Sequence, residues 1–209
     1  MLAVTHPIFN YDRPDYVRTH PWGKTDYEED GGRYFDFLKH PERIREVLED
    51  YYPHSDQPAI QKFYELVEWL NRDGGLLETT DCALRPPTQN QDIFKFDTAI
   101  RGRLEFLLRN HIANTNTSSI LWTVRMLSLY LQVERPDYQD AIFSISTIPT
   151  DYVLVPNSKG AGFRVSIAFD AYGNGDTDTW ESLLIAFDAL LKALKRLEIG
   201  MTVSMPDFP

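Results

Sequence analysis

The clearest periodicity lies near the end of the chain. Trp180, Leu183, Leu184, Phe187, Leu190, Leu191, Leu194 and Leu197 recur every three or four residues, which places them on one broad face of a helix. Asp178 and Glu181 form an Asp-x-x-Glu capping pair at its start, and Lys192, Lys195 and Arg196 occupy its last turns, where cations suit the helix dipole. Two helices are predicted upstream. One begins at Pro41, carries Ile44, Val47, Leu48 and Tyr51, and stops at Pro53. The other runs from Pro58 to Gly74-Gly75 with Ile60, Phe63, Tyr64, Val67 and Leu70 aligned. A fourth spans Ser118 to Glu134 after the capping residues of Asn114-Thr-Asn-Thr-Ser-Ser. Its interior is apolar nearly all round, the pattern of a central, buried helix.

Strand signals fill the middle. Ile93-Phe-Lys-Phe96 is strand-like, and Arg101, Arg103 and Glu105 alternate with Leu104, Phe106 and Leu108, which predicts half-buried paired strands. Phe96, Ile100, Leu104 and Leu107 also fit a helical period, so both readings stand for residues 101–110. Three further strands are predicted at Ala141–Thr147, Asp151–Val155 and Gly162–Ala171, with short Pro- and Gly-containing separations that favour antiparallel pairing. Lys159-Gly-Ala-Gly-Phe163 reads as a hairpin turn. Residues 1–33, with Pro7, Pro14 and Pro21, read as an irregular arm over the surface. The expected architecture is a single α+β domain over residues 1–209, an antiparallel sheet packed by helices.

Composition sharpens the picture. The chain has 209 residues, 13% aromatics and a net charge of −10. A chain of this length buries about 70% of its unfolded surface, enough for one substantial core. The negative charge disfavours nucleic acid and favours basic partners. Met1 to Pro7 lack the basic and apolar stretches of a signal peptide, and Leu183 to Leu191 is too short and too interrupted for a membrane span. The single cysteine, Cys82, suits a reducing cytoplasm.

Candidate chemistry is sparse. His6, His20, His40, His54 and His111 are widely separated, with no His-Glu-x-x-His and no cysteine pair, so only a long-range assembly makes a metal site. No metal or cofactor is expected. Asn174-Gly-Asp176-Thr-Asp178 offers alternate oxygens but has Thr179 and Ile185 where a calcium loop needs Gly and Glu, so it reads as a strand-to-helix turn. No Gly-x-Ser-x-Gly elbow is present, and Cys82 has no basic neighbour in sequence. Arg125, inside the most apolar helix, must emerge at a surface or meet a carboxylate.

Two acidic, aromatic-bearing segments remain. Asp26-Tyr27-Glu28-Glu29-Asp30 lies beside Trp22, and Tyr172 leads into Asp176 and Asp178. Aromatics supply anchoring area and carboxylates steer a basic partner, so Trp22, Asp26, Tyr27, Glu28, Glu29, Asp30, Tyr172, Asp176 and Asp178 are the candidate partner-binding residues. In Asp26-Tyr-Glu-Glu-Asp30 and Asp176-Thr-Asp-Thr-Trp-Glu181, and in its acidic α+β character, the chain resembles bacterial immunity proteins that neutralise contact-dependent or other polymorphic toxins. The resemblance implies a non-catalytic protein that binds a basic, often nuclease, toxin directly. An adaptor or assembly subunit, and an enzyme built from distant carboxylates and an arginine, are the alternatives.

Overall fold

The computed structural model describes residues 2–7, 9, 18–21, 27–29, 32–90, 95–155 and 158–204. Alternation builds the central strand β7, Thr98–Leu108: Ile100, Leu104 and Phe106 join the helix-covered core, while Arg101, Arg103 and Glu105 take the opposite face. Strand, not helix, is therefore the outcome for residues 101–108. Two long strands follow, β8 at Ala141–Val155 and β9 at Ser158–Gly173, paired antiparallel almost throughout. The two strands expected at Ala141–Thr147 and Asp151–Val155 are thus one. Pro149 does not break it because it falls between the two parallel neighbours of β8: β1 (Leu2–His6) reaches Ser146, and β2 (Arg18–His20) starts at Thr150. Strands in the first twenty residues also correct the expectation of an irregular arm.

Strand β5, Leu77–Leu84, completes the far edge, giving the order β1-β8-β9-β7-β5, with β2 beside β8 and the short β6 (Thr88–Gln89) beside β7. A separate two-stranded ladder pairs β3 (Tyr27–Glu29) with β4 (Gly32–Tyr34). The architecture is α+β, with mostly antiparallel pairing and helices packed against the sheet.

Among the described residues, the helices are α1 (Ile44–Val47), α2 (Pro58–Leu70), α3 (His111–Thr115), α4 (Thr117–Glu134) and α5 (Gly175–Ser204). The segment expected as one helix from Pro41 is α1 flanked by 3-10 turns, with Pro53 inside the second. Phe187 of α5 stacks on Phe63 of α2 at 5.4 Å and meets Phe169 of β9 edge-on at 5.0 Å, joining three elements through one aromatic cluster. Such pairs contribute about 0.5–1.5 kcal/mol each beyond area burial. Helix α4 is less enclosed than its sequence suggests. It buries Ile120, Val124, Leu127 and Leu131 but leaves Leu129 and Val133 exposed, and Arg125 emerges at the surface.

Helix α5 begins three residues before Asp178, so Asp178 lies inside the first turn. The Gly175 N–H donates instead to Asp97 Oδ1 at 2.7 Å, and Gly175 has φ +81°, a conformation that favours glycine. The helix also runs on to Ser204, which puts Lys192, Lys195 and Arg196 in its middle. Lys192 pairs with Asp188, and Arg196 with Glu134 of α4. No described helix is long and apolar enough to cross a membrane.

Candidate functional site

The face of the sheet opposite α2, α4 and α5 carries polar side chains that sequence spacing does not connect. Glu105 of β7 and Arg164 of β9 pair at 2.7 Å, both almost completely buried, and Arg164 also donates to Thr150 Oγ1 of β8 at 2.9 Å. His20 of β2 and Glu78 of β5 then meet at 2.7 Å between Nε2 and Oε1. These two strands lie on opposite edges of the sheet, so a contact between them requires the sheet to curl around its polar face.

His111, the first residue of α3, joins that pair. Its ring sits 4.7 Å from the His20 ring and 5.6 Å from Tyr152, whose hydroxyl donates to the Phe163 carbonyl. One ligand atom from each of His20, Glu78 and His111 lies within 4.8 Å of the others. The three side chains line a cleft of about 330 Å³ whose walls include Pro21, Phe35, Phe37, Leu38 and Arg109. His20 and Glu78 are only 6% and 4% exposed, whereas His111 is half-buried. Burial, with the neighbouring His20, holds the His111 pKa below its ordinary value, and Glu78 opposes that shift.

Local sequence explains each placement. Asn110 caps α3 by accepting from Ile112 and Ala113, and buried Asn114 bridges both backbone groups of Leu108, which locks α3 to the end of β7. Glycine lets the same helix approach β9: a Cβ at Gly162 would lie 2.4 Å from the Asn114 carbonyl oxygen. Lys159-Gly-Ala-Gly-Phe163 is therefore strand under a helix, not the turn expected. Glu78 is fixed from both sides. The Asn71 side chain bonds the Thr79 N–H and hydroxyl, and Arg109 donates to the carbonyls of Leu70, Arg72 and Leu77. Arg109 thus closes the end of α2 onto β5, and burial pushes its pKa down.

A second locus is the end of the sheet where α5 begins. Asp97 anchors Gly175, while Tyr138 of the α4–β8 connection packs, partly buried, against the core beside Ser182 of α5. Burial raises the Tyr138 pKa, and Asp140 and Glu181 are close enough to add to the rise. Asp137, Asp176, Asp178 and Glu181 are exposed here, and Asp140 is partly so.

The candidate residues divide accordingly. Asp176 and Asp178 lie on this acidic end, as exposed side chains in the first turn of α5. Tyr172 does not serve as a surface anchor: it is 6% exposed in β9, its ring stacked over Phe96 at 6.3 Å. Tyr27, Glu28 and Glu29 form β3, with Glu28 opposite Arg33 in the ladder. Trp22, Asp26 and Asp30 lie outside the described residues, as do Ile93 and Phe94. The basic residues of the middle segment are engaged internally, Arg103 with Asp81 and Arg101 with Asp170.

Sequence reasoning passed over Asp137 and Asp140 as partners of the α5 acids, and over Glu78 and His111 as neighbours of His20. Among protein-family models, curated proteins and solved structures, none matches this chain.

Proposed function

We propose that the protein is a non-catalytic, acidic binding protein that neutralises a basic protein partner by direct association, in the manner of the bacterial immunity proteins it resembles. A toxin domain, often a nuclease, is the partner class this implies. The observation that carries the reading is the disposition of charge. Arg43, Arg45, Lys62, Arg72, Arg101, Arg103, Arg164, Lys192 and Arg196 are each engaged by a carboxylate of the same chain. Each such pair is neutral, so the net charge of −10 resides in the groups outside these pairs, where acids outnumber bases; among them are the exposed Asp137, Asp176, Asp178 and Glu181. Tyr138, Asp97 and the start of α5 hold that end in place, so the carboxylates are presented on ordered backbone. The β3–β4 ladder likewise gives the Tyr27–Glu29 acids a defined strand. A cytoplasmic setting accords with the lone thiol of Cys82.

The test is comparative capture. The immobilised protein is exposed to lysate of the source cells beside two charge-reversed variants, one at Asp137, Asp140, Asp178 and Glu181 and one at Asp26, Glu28, Glu29 and Asp30. One basic protein bound in equal amount to the wild type and lost from at least one folded variant supports the reading. Identical capture by all three removes both surfaces from it.

A further inference from the structure

We infer that His20, Glu78 and His111 form a binding site for one divalent transition-metal ion of the zinc type. This site is separate from the acidic end and stands whether or not that end binds a protein. Two imidazoles and one carboxylate are a donor set that zinc and related ions take, with positions left for water or another ligand.

The geometry is close to what an ion requires. Ligand atoms 2.0–2.2 Å from a tetrahedral ion are about 3.3–3.6 Å apart. The His20–Glu78 pair, at 2.7 Å, must open by under about 1 Å, and the widest separation, within 4.8 Å, must close by a little over about 1 Å. Side-chain rotation of the half-buried His111 supplies the larger movement. The backbone beneath each donor is already fixed, by the β2–β8 ladder for His20, by Asn71 and Arg109 for Glu78, and by Asn110 and Asn114 for His111.

Burial adds a reason for a cation. Glu78 is 4% exposed, so its carboxylate has lost nearly all hydration. Arg109, a half-buried cation in the cleft wall, lies close enough to feel the Glu78 charge but spends Nε and Nη2 on three backbone carbonyls, and Lys39 at the rim is held by Asp36. An ion between Glu78 and the histidines would neutralise the carboxylate directly, and would tie one edge of the curled sheet to the other. The cleft provides the entry path and the space for the remaining coordination positions.

The test uses the full chain, stripped with chelator and then dialysed against Zn²⁺ or Co²⁺, with bound metal counted by elemental analysis. One Zn²⁺ per chain is expected, together with visible d–d bands on Co²⁺ loading that Zn²⁺ abolishes and that millimolar Mg²⁺ or Ca²⁺ leaves unchanged. Glu78→Gln and His111→Ala should each weaken Zn²⁺ binding by more than about 100-fold, beyond the effect of outer-shell changes. Thermal melting in chelator establishes that each variant folds; if Glu78→Gln does not, His111→Ala, which faces the cleft, decides. Failure of the wild type to retain stoichiometric Zn²⁺, or unchanged affinity in folded His111→Ala, overturns the inference and leaves His20–Glu78 as a structural pair alone.

Discussion

Replacing Glu105 by Gln tests the buried side of the sheet. The substitution keeps the shape of the side chain but leaves the Arg164 guanidinium, with 7% of its side chain exposed, facing an uncharged amide. Thr150 Oγ1 still accepts from Arg164, yet a hydroxyl does not compensate a buried charge. Breaking such a pair by removing one partner costs about 3–5 kcal/mol, because the surviving ion stays desolvated. Removing both ions, as in Glu105→Leu with Arg164→Met, should cost far less, since only the Thr150 and Ser166 hydroxyls lose partners, at about 1 kcal/mol each. Urea unfolding followed by tryptophan fluorescence reads the difference. With a slope of about 2–3 kcal/mol/M, the single variant should lose about 1–2.5 M in midpoint and the double variant should recover most of it. A single-variant loss under about 1 kcal/mol, or a double variant no more stable than the single, refutes the reasoning.

Three further outcomes follow from the same structure. Gly162→Ala drives a Cβ into the Asn114 carbonyl, where backbone cannot yield, so it should cost about 1–3 kcal/mol and lower the melting temperature by about 2–10 °C; an unchanged melt would mean that α3 is not held against β9. Burial, with the Asp81 charge beside it, pushes the partly exposed Cys82 thiol up to about 12, so iodoacetamide should label the native protein at pH 7 more slowly than the urea-unfolded chain by at least about tenfold, and comparable rates would contradict this. Asp97 is held below its ordinary pKa of 3.8 chiefly by the Gly175 N–H and then by the Thr98 hydroxyl. Its depressed value means that its stabilisation is complete above the ordinary pKa and fades as pH falls through the folded one. The stability gap between wild type and Asp97→Asn should therefore be constant near neutrality and narrow in acid; a gap that widens in acid has the wrong sign.

How much of this was legible in the sequence depends on the range of the signal. Helices α2 and α5 were legible because their apolar stripes are long and local; β7 was legible only in part, because Arg101, Arg103 and Glu105 alternate with apolar neighbours while Phe96, Ile100, Leu104 and Leu107 also fit a helical period. Strand β5 escaped notice: Glu-Thr-Thr-Asp-Cys between Leu77 and Ala83 has no apolar alternation, since much of it is only partly buried at a sheet edge. The β1 and β2 strands are short and set among prolines, and they form because β8 offers them an edge. Tyr172 was assigned to the surface through its acidic neighbours, whereas its place at the end of β9 turns it inward onto Phe96. The His20–Glu78–His111 cluster was illegible because its members come from two opposite sheet edges and a helix start. Only the curl of the sheet brings them together.

The most direct test of the proposed function is the affinity of the captured basic partner for the wild type and for the Asp137, Asp140, Asp178 and Glu181 charge-reversed variant, each measured at low and high salt. Electrostatic recognition predicts tight one-to-one binding by the wild type, a slower association rate as salt rises, and a large loss in the folded variant. Equal affinity for both proteins, insensitive to salt, would contradict it.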